Sequence, residues 1–85
     1  MSKYDPLHHF LENAAPDMSE ITLSFRQIEQ VLDDTLPYTA KHSGPWWANE
    51  LRSGTRPQSS SWLNAGWEVA EVGRDRQWVR FRRTG

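Results

Sequence analysis

The chain has 85 residues, with ten basic and eleven acidic residues for a formal net charge of −1, and it has no cysteine. This length predicts one domain, residues 1–85, with a modest core, and a chain without cysteine can form neither disulfides nor thiolate metal sites. No apolar run approaches the length of a membrane span and the N-terminus lacks the apolar region of a signal peptide, so we expect a cytoplasmic protein without membrane contact.

The first predicted helix covers residues 6–14. Asp5 is its expected N-cap, and Pro6 suits the first helical position because no hydrogen bond is lost there. The apolar residues of this helix follow at helical spacing and form one face: Leu7, Phe10, Leu11 and Ala14.

A β-prone run at residues 21–23 predicts a short strand, and a second helix follows at residues 25–33. Ser24 opens this helix, and Gln27, three residues later, completes a capping box. The negative charges of Asp33 and Asp34 are unfavourable in the last turn of a helix, so the helix is predicted to end before them. Such an entry into a short amphipathic helix is typical of the first helix of a helix-turn-helix pair.

Two further short helices are predicted. Thr35 and Pro37 suit the cap and the first helical position of a third helix, which residues 43–45 interrupt. After turn-forming residues, a last helix covers residues 58–65, and Gly66 ends it in a left-handed conformation. Trp62 and Leu63 must hold this last helix in place, because its serines have poor helix propensity.

The C-terminal residues predict a β-hairpin with an apolar inner face that carries Trp67, Val69, Val79 and Phe81. For Val69 and Val79 to face the same core in a regular ladder, the connecting loop must have an odd number of residues. A three-residue loop, 73–75, satisfies this condition, and a five-residue loop has the same parity. The shorter loop is preferred. It pairs Val69 with Val79, Trp67 with Phe81, Glu68 with Arg80, and Ala70 with Trp78.

This order of elements predicts an α+β domain that is winged helix-turn-helix-like, with three to four short helices and a C-terminal β-hairpin wing. Winged-helix domains follow the order helix, strand, helix, helix, strand, strand, and here one extra segment near residues 46–56 precedes the last helix. A two-layer α+β sandwich of another kind gives the same pattern.

The chain also resembles a family of small, largely uncharacterised bacterial and phage domains. The resemblance rests on residues 4–7 (YDPL), 23–25 (LSF), 28–29 (IE), 36–37 (LP), 46–49 (WWAN) and 62–69 (WLNAGWEV). These stretches span nearly the whole chain. The resemblance implies no particular activity.

The sequence offers no arrangement typical of an enzyme, a cofactor site or a metal site. The serines at 59–61 have no histidine predicted beside them, and the glycines are isolated rather than grouped in a phosphate-binding loop. His8 and His9 are adjacent and diverge around a helix, so they are predicted as surface residues rather than as a metal pair. We expect a non-catalytic protein without a cofactor or metal.

The basic residues are concentrated in the second half of the chain. Residues 1–40 carry two basic and seven acidic groups, a balance of −5, whereas residues 41–85 carry eight and four, a balance of +4. This separation indicates either a surface that faces a polyanion or an arginine-rich edge that discourages strand pairing. The residues that we predict to contact nucleic acid are Arg52, Arg56, Gln58, Ser59, Arg74, Arg76, Arg80 and Arg82. The recognition helix is either the one after Pro37 or the one at 58–65, and the basic residues before the latter favour it.

Trp46 and Trp47 are adjacent, so only one of them can point into the core from a regular element. We expect one to pack against the first helix and the other to be partly exposed. The possible docking residues are Trp46, Trp47, Asn49 and Trp78. In this interpretation Asn49 hydrogen-bonds to a base edge or to a peptide amide. Alternatively, both tryptophans cap the core from its edge while Asn49 bonds loop backbone.

The leading functional hypothesis is a nucleic-acid-binding module, with duplex DNA as the partner and a regulatory or phage- or defence-associated role. The alternative is a protein-interaction adaptor that binds no nucleic acid, because a net charge of −1 is low for a dedicated DNA binder and tryptophans beside arginines are typical of protein interfaces.

Overall fold

A computed structural model describes residues 3–42, 44–49 and 57–84. Its helices are α1 (Asp5–Glu12), α2 (Phe25–Leu32), α3 (Tyr38–His42) and α4 (Pro57–Leu63), with a short 3-10 helix at Gly44–Trp47. Its strands are β1 (Glu20–Ser24), β2 (Trp67–Gly73) and β3 (Trp78–Arg83). The described residues thus form a small α+β domain with a three-stranded antiparallel sheet in the order β1-β3-β2. No helix within the described ranges is long and apolar enough to cross a membrane.

Helix α1 begins and ends earlier than predicted. Its N-cap is Tyr4, which makes no side-chain capping bond, so the expectation that Asp5 caps the helix is wrong. Asp5 instead lies in the first turn, where its negative charge complements the helix dipole. The predicted apolar face is only partly buried, because Leu7 and Leu11 are in the core while Phe10 remains 42% exposed.

Helix α2 confirms the predicted capping box. The amide of Gln27 donates to Ser24 Oγ at 3.0 Å, and the amide of Ser24 donates to Gln27 Oε1 at 2.8 Å. The helix ends at Asp33, whose φ of 54° is left-handed. A short polar side chain tolerates this conformation better than most residues do, which explains why the helix stops there.

The third and fourth helices also lie close to their predicted positions. Helix α3 follows Pro37 directly, and α4 covers Pro57–Leu63 rather than 58–65. Gly66 has a φ of 88°, which confirms its predicted role as a left-handed stop after α4.

The hairpin has the predicted inner face but a different register. Its turn has four residues, 74–77, and the ladder pairs Val69 with Phe81 and Val72 with Val79, with a shift between Val69 and Glu71. The predicted three-residue loop and its four pairings are therefore wrong. A β-bulge adds one residue to one strand and reverses the side-chain parity beyond it, so an even turn and an apolar inner face are compatible.

The core lies between the inner face of the sheet and the helices. Trp67, Val79 and Phe81 are fully buried, as predicted, and Val69 packs against them. The indole N–H of Trp67 donates to the carbonyl of Leu11 at 3.0 Å, which joins β2 to α1. The outer face of the sheet carries the polar and charged side chains of the hairpin.

Candidate nucleic-acid interface

The face of α4 that was predicted to enter a DNA groove is largely buried. Gln58 is 9% exposed and Ser59 is fully buried, so the prediction that these two side chains face a groove is wrong. The helix packs against both α1 and β2, which leaves it little free surface. Arg52 and Arg56, predicted to act beside them, lie outside the described residues.

The two strand arginines in the predicted interface are paired with glutamates on the outer face of the sheet. Arg80 Nη2 lies 2.8 Å from Glu71 Oε1. Arg82 donates from Nε and Nη2 to Glu68 Oε2 at 3.0 and 2.6 Å. Exposed pairs of this kind contribute little stability. In each pair, however, the glutamate neutralises the arginine charge that would otherwise attract a phosphate.

Arg83 is also engaged, although it belongs to the same basic run. Its guanidinium donates to the carbonyls of Met18 and Ala15 at 2.9 and 3.0 Å. The same group lies 4.4 Å from the centre of the Trp67 ring, a cation–π contact. Arg83 therefore fastens the segment between α1 and β1 to the sheet.

Arg74 and Arg76 differ from the strand arginines because they lie exposed in the hairpin turn, residues 74–77. Neither guanidinium has a partner among the residues that the structure describes. The turn itself is fixed: Gln77 has a left-handed φ of 60°, and its carbonyl accepts from the amide of Phe25 at 2.8 Å. The turn that carries the two unpaired arginines is thus bonded to the start of α2.

Three successive contacts connect this turn to α3. The first is the bond between Gln77 and Phe25. The ring of Phe25 then stacks on Trp47 at a centroid distance of 5.7 Å. Finally, the Trp47 indole N–H donates to the carbonyl of Ala40, in α3, at 2.8 Å. This path connects the hairpin turn to α3 through the buried rings of Phe25 and Trp47.

Helix α3 exposes side chains that can contact a ligand. Tyr38 is 76% exposed and stacks on His42 at 4.1 Å between ring centroids. Thr39 is also exposed, whereas Ala40 is fully buried and anchors the helix. Of the two recognition helices that the sequence left open, α3 is therefore the one with a free surface.

Glu29 holds α3 onto α2. Its Oε2 accepts from the amide of Leu36 at 2.8 Å and lies 3.2 Å from Lys41 Nζ. The backbone hydrogen bond from Leu36, assisted by Lys41, lowers the pKa of the Glu29 carboxyl below its ordinary value. Lys41 is consequently paired and adds little free positive charge to the exposed side of α3.

The adjacent tryptophans divide as predicted, one inside and one partly exposed. Trp47 is 3% exposed and stacks between Phe25 and Trp62. Trp46 is half-buried, with its ring edge against Tyr4 at 5.8 Å. The ring contacts of the inward Trp47 are with residues of α2 and α4, whereas Trp46 contacts Tyr4, the N-cap of the first helix.

Asn49 uses its amide to join three parts of the chain. Its Oδ1 accepts from the Val69 amide at 2.8 Å and from the Trp62 indole at 2.9 Å, and its Nδ2 donates to the Val69 carbonyl at 3.0 Å. The side chain thus pairs with the backbone of β2, an outer strand of the sheet. This agrees with the interpretation that Asn49 bonds backbone, although the backbone belongs to a strand rather than a loop.

We expect Asn49→Ala to lower the free energy of unfolding by about 2–3 kcal/mol, because it leaves the buried Trp62 N–H without an acceptor. Asn49→Asp keeps an acceptor for both N–H groups but loses the donation from Nδ2 to the Val69 carbonyl, so it should cost less than the alanine variant without being neutral. Urea unfolding followed by circular dichroism measures both changes. Equal losses for the two variants would contradict the role assigned to the accepting oxygen.

Trp78, predicted on the outer face, lies there half-buried. Its indole ring covers Gly73: a side-chain carbon at that position would come within 2.3 Å of the ring. The glycine is therefore required by close packing at the start of the turn. This contact fixes the orientation of Trp78, which leaves only part of its ring to solvent.

One group of side chains in the described part of the chain could hold a metal ion. The ligand atoms of His8, His9 and Glu12 lie within 4.8 Å of one another on α1. His8 Nδ1 also lies 3.1 Å from the carbonyl of Ser61. These residues lie on α1 rather than on α3 or the hairpin turn, and exposed acidic groups are common without a metal.

A family model described as a domain of unknown function (DUF7662) matches residues 4–84, so the chain belongs to this family. This membership fits the resemblance to a family of small uncharacterised domains. No curated protein and no solved structure matches the chain. The winged-helix assignment therefore stays a prediction.

Proposed function

We propose that this DUF7662 domain binds duplex DNA through a recognition surface formed by α3 and the hairpin turn. The observation that carries the proposal is the pair of exposed, unpaired arginines, Arg74 and Arg76, in a turn bonded to the start of α2. The order of helices and strands supports a winged-helix arrangement, in which a hairpin and a recognition helix contact the same duplex.

The two parts of this surface have different chemistry. Arg74 and Arg76 suit phosphate, since a guanidinium group donates two parallel hydrogen bonds to phosphate oxygens. Tyr38, Thr39 and His42 on α3 present a stacked ring pair and a hydroxyl group, which suit contacts with base edges. Phosphate contacts would position the domain, and α3 would supply the sequence preference.

Fluorescence anisotropy with a labelled duplex of random sequence, over a series of salt concentrations, tests this proposal. Because two arginines would release counterions from the DNA, the logarithm of the association constant should fall against the logarithm of salt with a slope of about −2. A single-stranded oligonucleotide of the same length is the matched ligand. An absence of duplex binding at low salt would overturn the proposal.

The alternative function, a protein-interaction adaptor, gains support from a different part of the molecule. Phe10 and Met18 are each 42% exposed, and both line the same apolar pocket. This pocket lies away from the hairpin turn. Exposed apolar surface of this kind is typical of interaction sites.

A further inference from the structure

Helix α1 brings two histidines and a glutamate together near its C-terminal end. Adjacent histidines diverge around a helix, but Glu12 follows them by four and three residues, so its longer side chain reaches both rings. Glu12 Oε2 lies 3.4 Å from His8 Nε2, and Glu12 Oε1 lies 3.9 Å from His9 Nδ1. We call the side chains of His8, His9 and Glu12 the histidine cluster.

A backbone hydrogen bond fixes the orientation of the His8 ring. Its Nδ1 lies 3.1 Å from the carbonyl oxygen of Ser61, in α4, and because a carbonyl only accepts, Nδ1 is the nitrogen that carries the proton. In the neutral ring Nε2 then has a free lone pair, which faces the Glu12 carboxylate at 3.4 Å. Two acceptors in this arrangement are stabilised by a proton or a cation between them. Metal-binding histidines commonly donate their other ring N–H to a backbone carbonyl in this way.

The position of the cluster on the helix also favours a cation. Glu12 is the last residue of α1, and His9 lies in its last turn. The helix dipole favours positive charge at this end and disfavours a carboxylate. Among the residues that the structure describes, Glu12 forms ion pairs with the two histidines and with no lysine or arginine. A bound cation would therefore compensate a carboxylate charge that the helix end disfavours.

The distances suit a small transition-metal ion. Zn²⁺ binds imidazole nitrogens and carboxylate oxygens at about 2.0–2.2 Å in tetrahedral geometry, which sets its ligand atoms about 3.4 Å apart. His8 and Glu12 already have this separation, and the three ligand atoms all lie within 4.8 Å of one another. The side chains of His9 and Glu12 are 67% and 55% exposed, so small rotations can bring the third ligand atom into place.

We propose that the histidine cluster binds one zinc ion through His8 Nε2, His9 Nδ1 and a carboxylate oxygen of Glu12. Water completes the coordination, since three protein ligands leave one tetrahedral position open. Mg²⁺ should not bind, because it prefers oxygen ligands and two of the three ligands here are imidazole nitrogens. The site uses no residue of α3 or of the hairpin turn, so this inference does not rest on the DNA-binding function.

Isothermal titration calorimetry of the full chain, prepared without a histidine tag, measures zinc binding at neutral pH. We expect one zinc ion per chain and no binding of Mg²⁺. His9→Gln and Glu12→Gln should each weaken zinc binding at least about tenfold, equivalent to about 1.4 kcal/mol, because each removes one of three ligands. His42→Gln and Asp17→Asn remove a histidine and a carboxylate outside the cluster and should leave the zinc affinity unchanged. An absence of zinc binding, equal binding of Mg²⁺, or equal losses in the two pairs of variants would overturn the proposal.

Nitrogen-15 NMR of the histidine rings identifies the ligand atoms and distinguishes a metal from a proton. In the metal-free chain, His8 should carry its proton on Nδ1. Zinc should shift the resonances of His8 Nε2 and His9 Nδ1 and leave those of the His42 ring unchanged. Equal shifts for all three histidines would show non-specific binding and overturn the site. A His8 ring that stays protonated at both nitrogens when zinc is added would overturn it in favour of a simple ion pair with Glu12.

Thermal unfolding separates an effect on the metal from an effect on the fold. His9 is exposed, so in the absence of zinc His9→Gln should melt close to the parent chain. Zinc should raise the melting temperature of the parent chain and of His42→Gln, because a ligand that binds only the folded state stabilises it. It should not raise that of His9→Gln to the same extent. A rise of equal size in His9→Gln would overturn the proposal.

Discussion

Trp62→Ala should lower the free energy of unfolding by about 3 kcal/mol or more, as truncation of a fully buried aromatic side chain does. Trp62 is completely buried, with its ring stacked on Trp47 at 5.7 Å and tilted against Phe81 at 5.9 Å. Its indole N–H is held by Asn49. The substitution removes both ring contacts and a hydrogen bond, and it opens a cavity where α4, the 3-10 helix and the sheet meet.

Trp78→Ala is the matched control, since it removes the same side chain from the outer face of the sheet. We expect it to cost about 1 kcal/mol, because Trp78 is half-buried and mainly covers Gly73. For a domain of this size the melting temperature falls by roughly 4–8 °C per kcal/mol. Urea and thermal unfolding, followed by far-UV circular dichroism, compare the two. Similar losses would contradict the assignment of Trp62 to the core. If Trp62→Ala does not fold, Trp62→Phe should still show a loss greater than that of Trp78→Ala.

Local signals predicted much of the fold. The hydrogen bonds between Ser24 and Gln27 depend on a spacing of three residues, so the sequence predicts where α2 begins. Gly66 similarly marks the end of α4 through its left-handed backbone. The alternation of Val79 and Phe81 identified the inner face of the sheet because a strand reverses its side chains at every residue.

Side-chain alternation along the two strands could not by itself predict the register of the hairpin. That argument assumes a regular ladder, and the shift between Val69 and Glu71 breaks the assumption. The four-residue turn and the bulge compensate each other, so Val69 and Val72 both face inward despite their odd spacing. A bulge has no strong residue signature here, since Ala70 is an ordinary strand residue. The bulge is visible only in the pairing of β2 with β3.

The candidate site was less predictable than the fold, because it depends on which charges are paired. Arg80 and Arg76 are the same residue type, yet Arg80 pairs with Glu71 whereas Arg76 is exposed. Likewise, nothing local to Gln58 and Ser59 shows that α4 packs on two elements at once and buries them. Tertiary contacts determine both outcomes. The sequence therefore shows that arginines are concentrated in the second half of the chain, but it could not separate the unpaired arginines from the paired ones.

Replacing Arg74 and Arg76 together with alanine should weaken duplex binding about tenfold or more at low salt, equivalent to about 1.4 kcal/mol. The loss should be alike for all DNA sequences, since phosphate contacts carry no base information. The salt slope should become shallower by up to about two units, because two fewer phosphates are neutralised. The melting temperature should barely change, since both side chains are exposed in the turn and make no described contact.

Arg80→Ala combined with Arg82→Ala changes the net charge by the same amount and provides the control. Because these arginines are paired with Glu71 and Glu68, their removal should reduce both the affinity and the salt slope less than the turn variant does. Replacing Tyr38 or Thr39 on α3 should instead change the preference between sequences, because helix side chains read base edges in the major groove. Anisotropy on a set of labelled duplexes distinguishes the three variants. Equal effects of the turn pair and the strand pair would indicate attraction to the overall charge, and the hairpin turn would then have no specific role in binding.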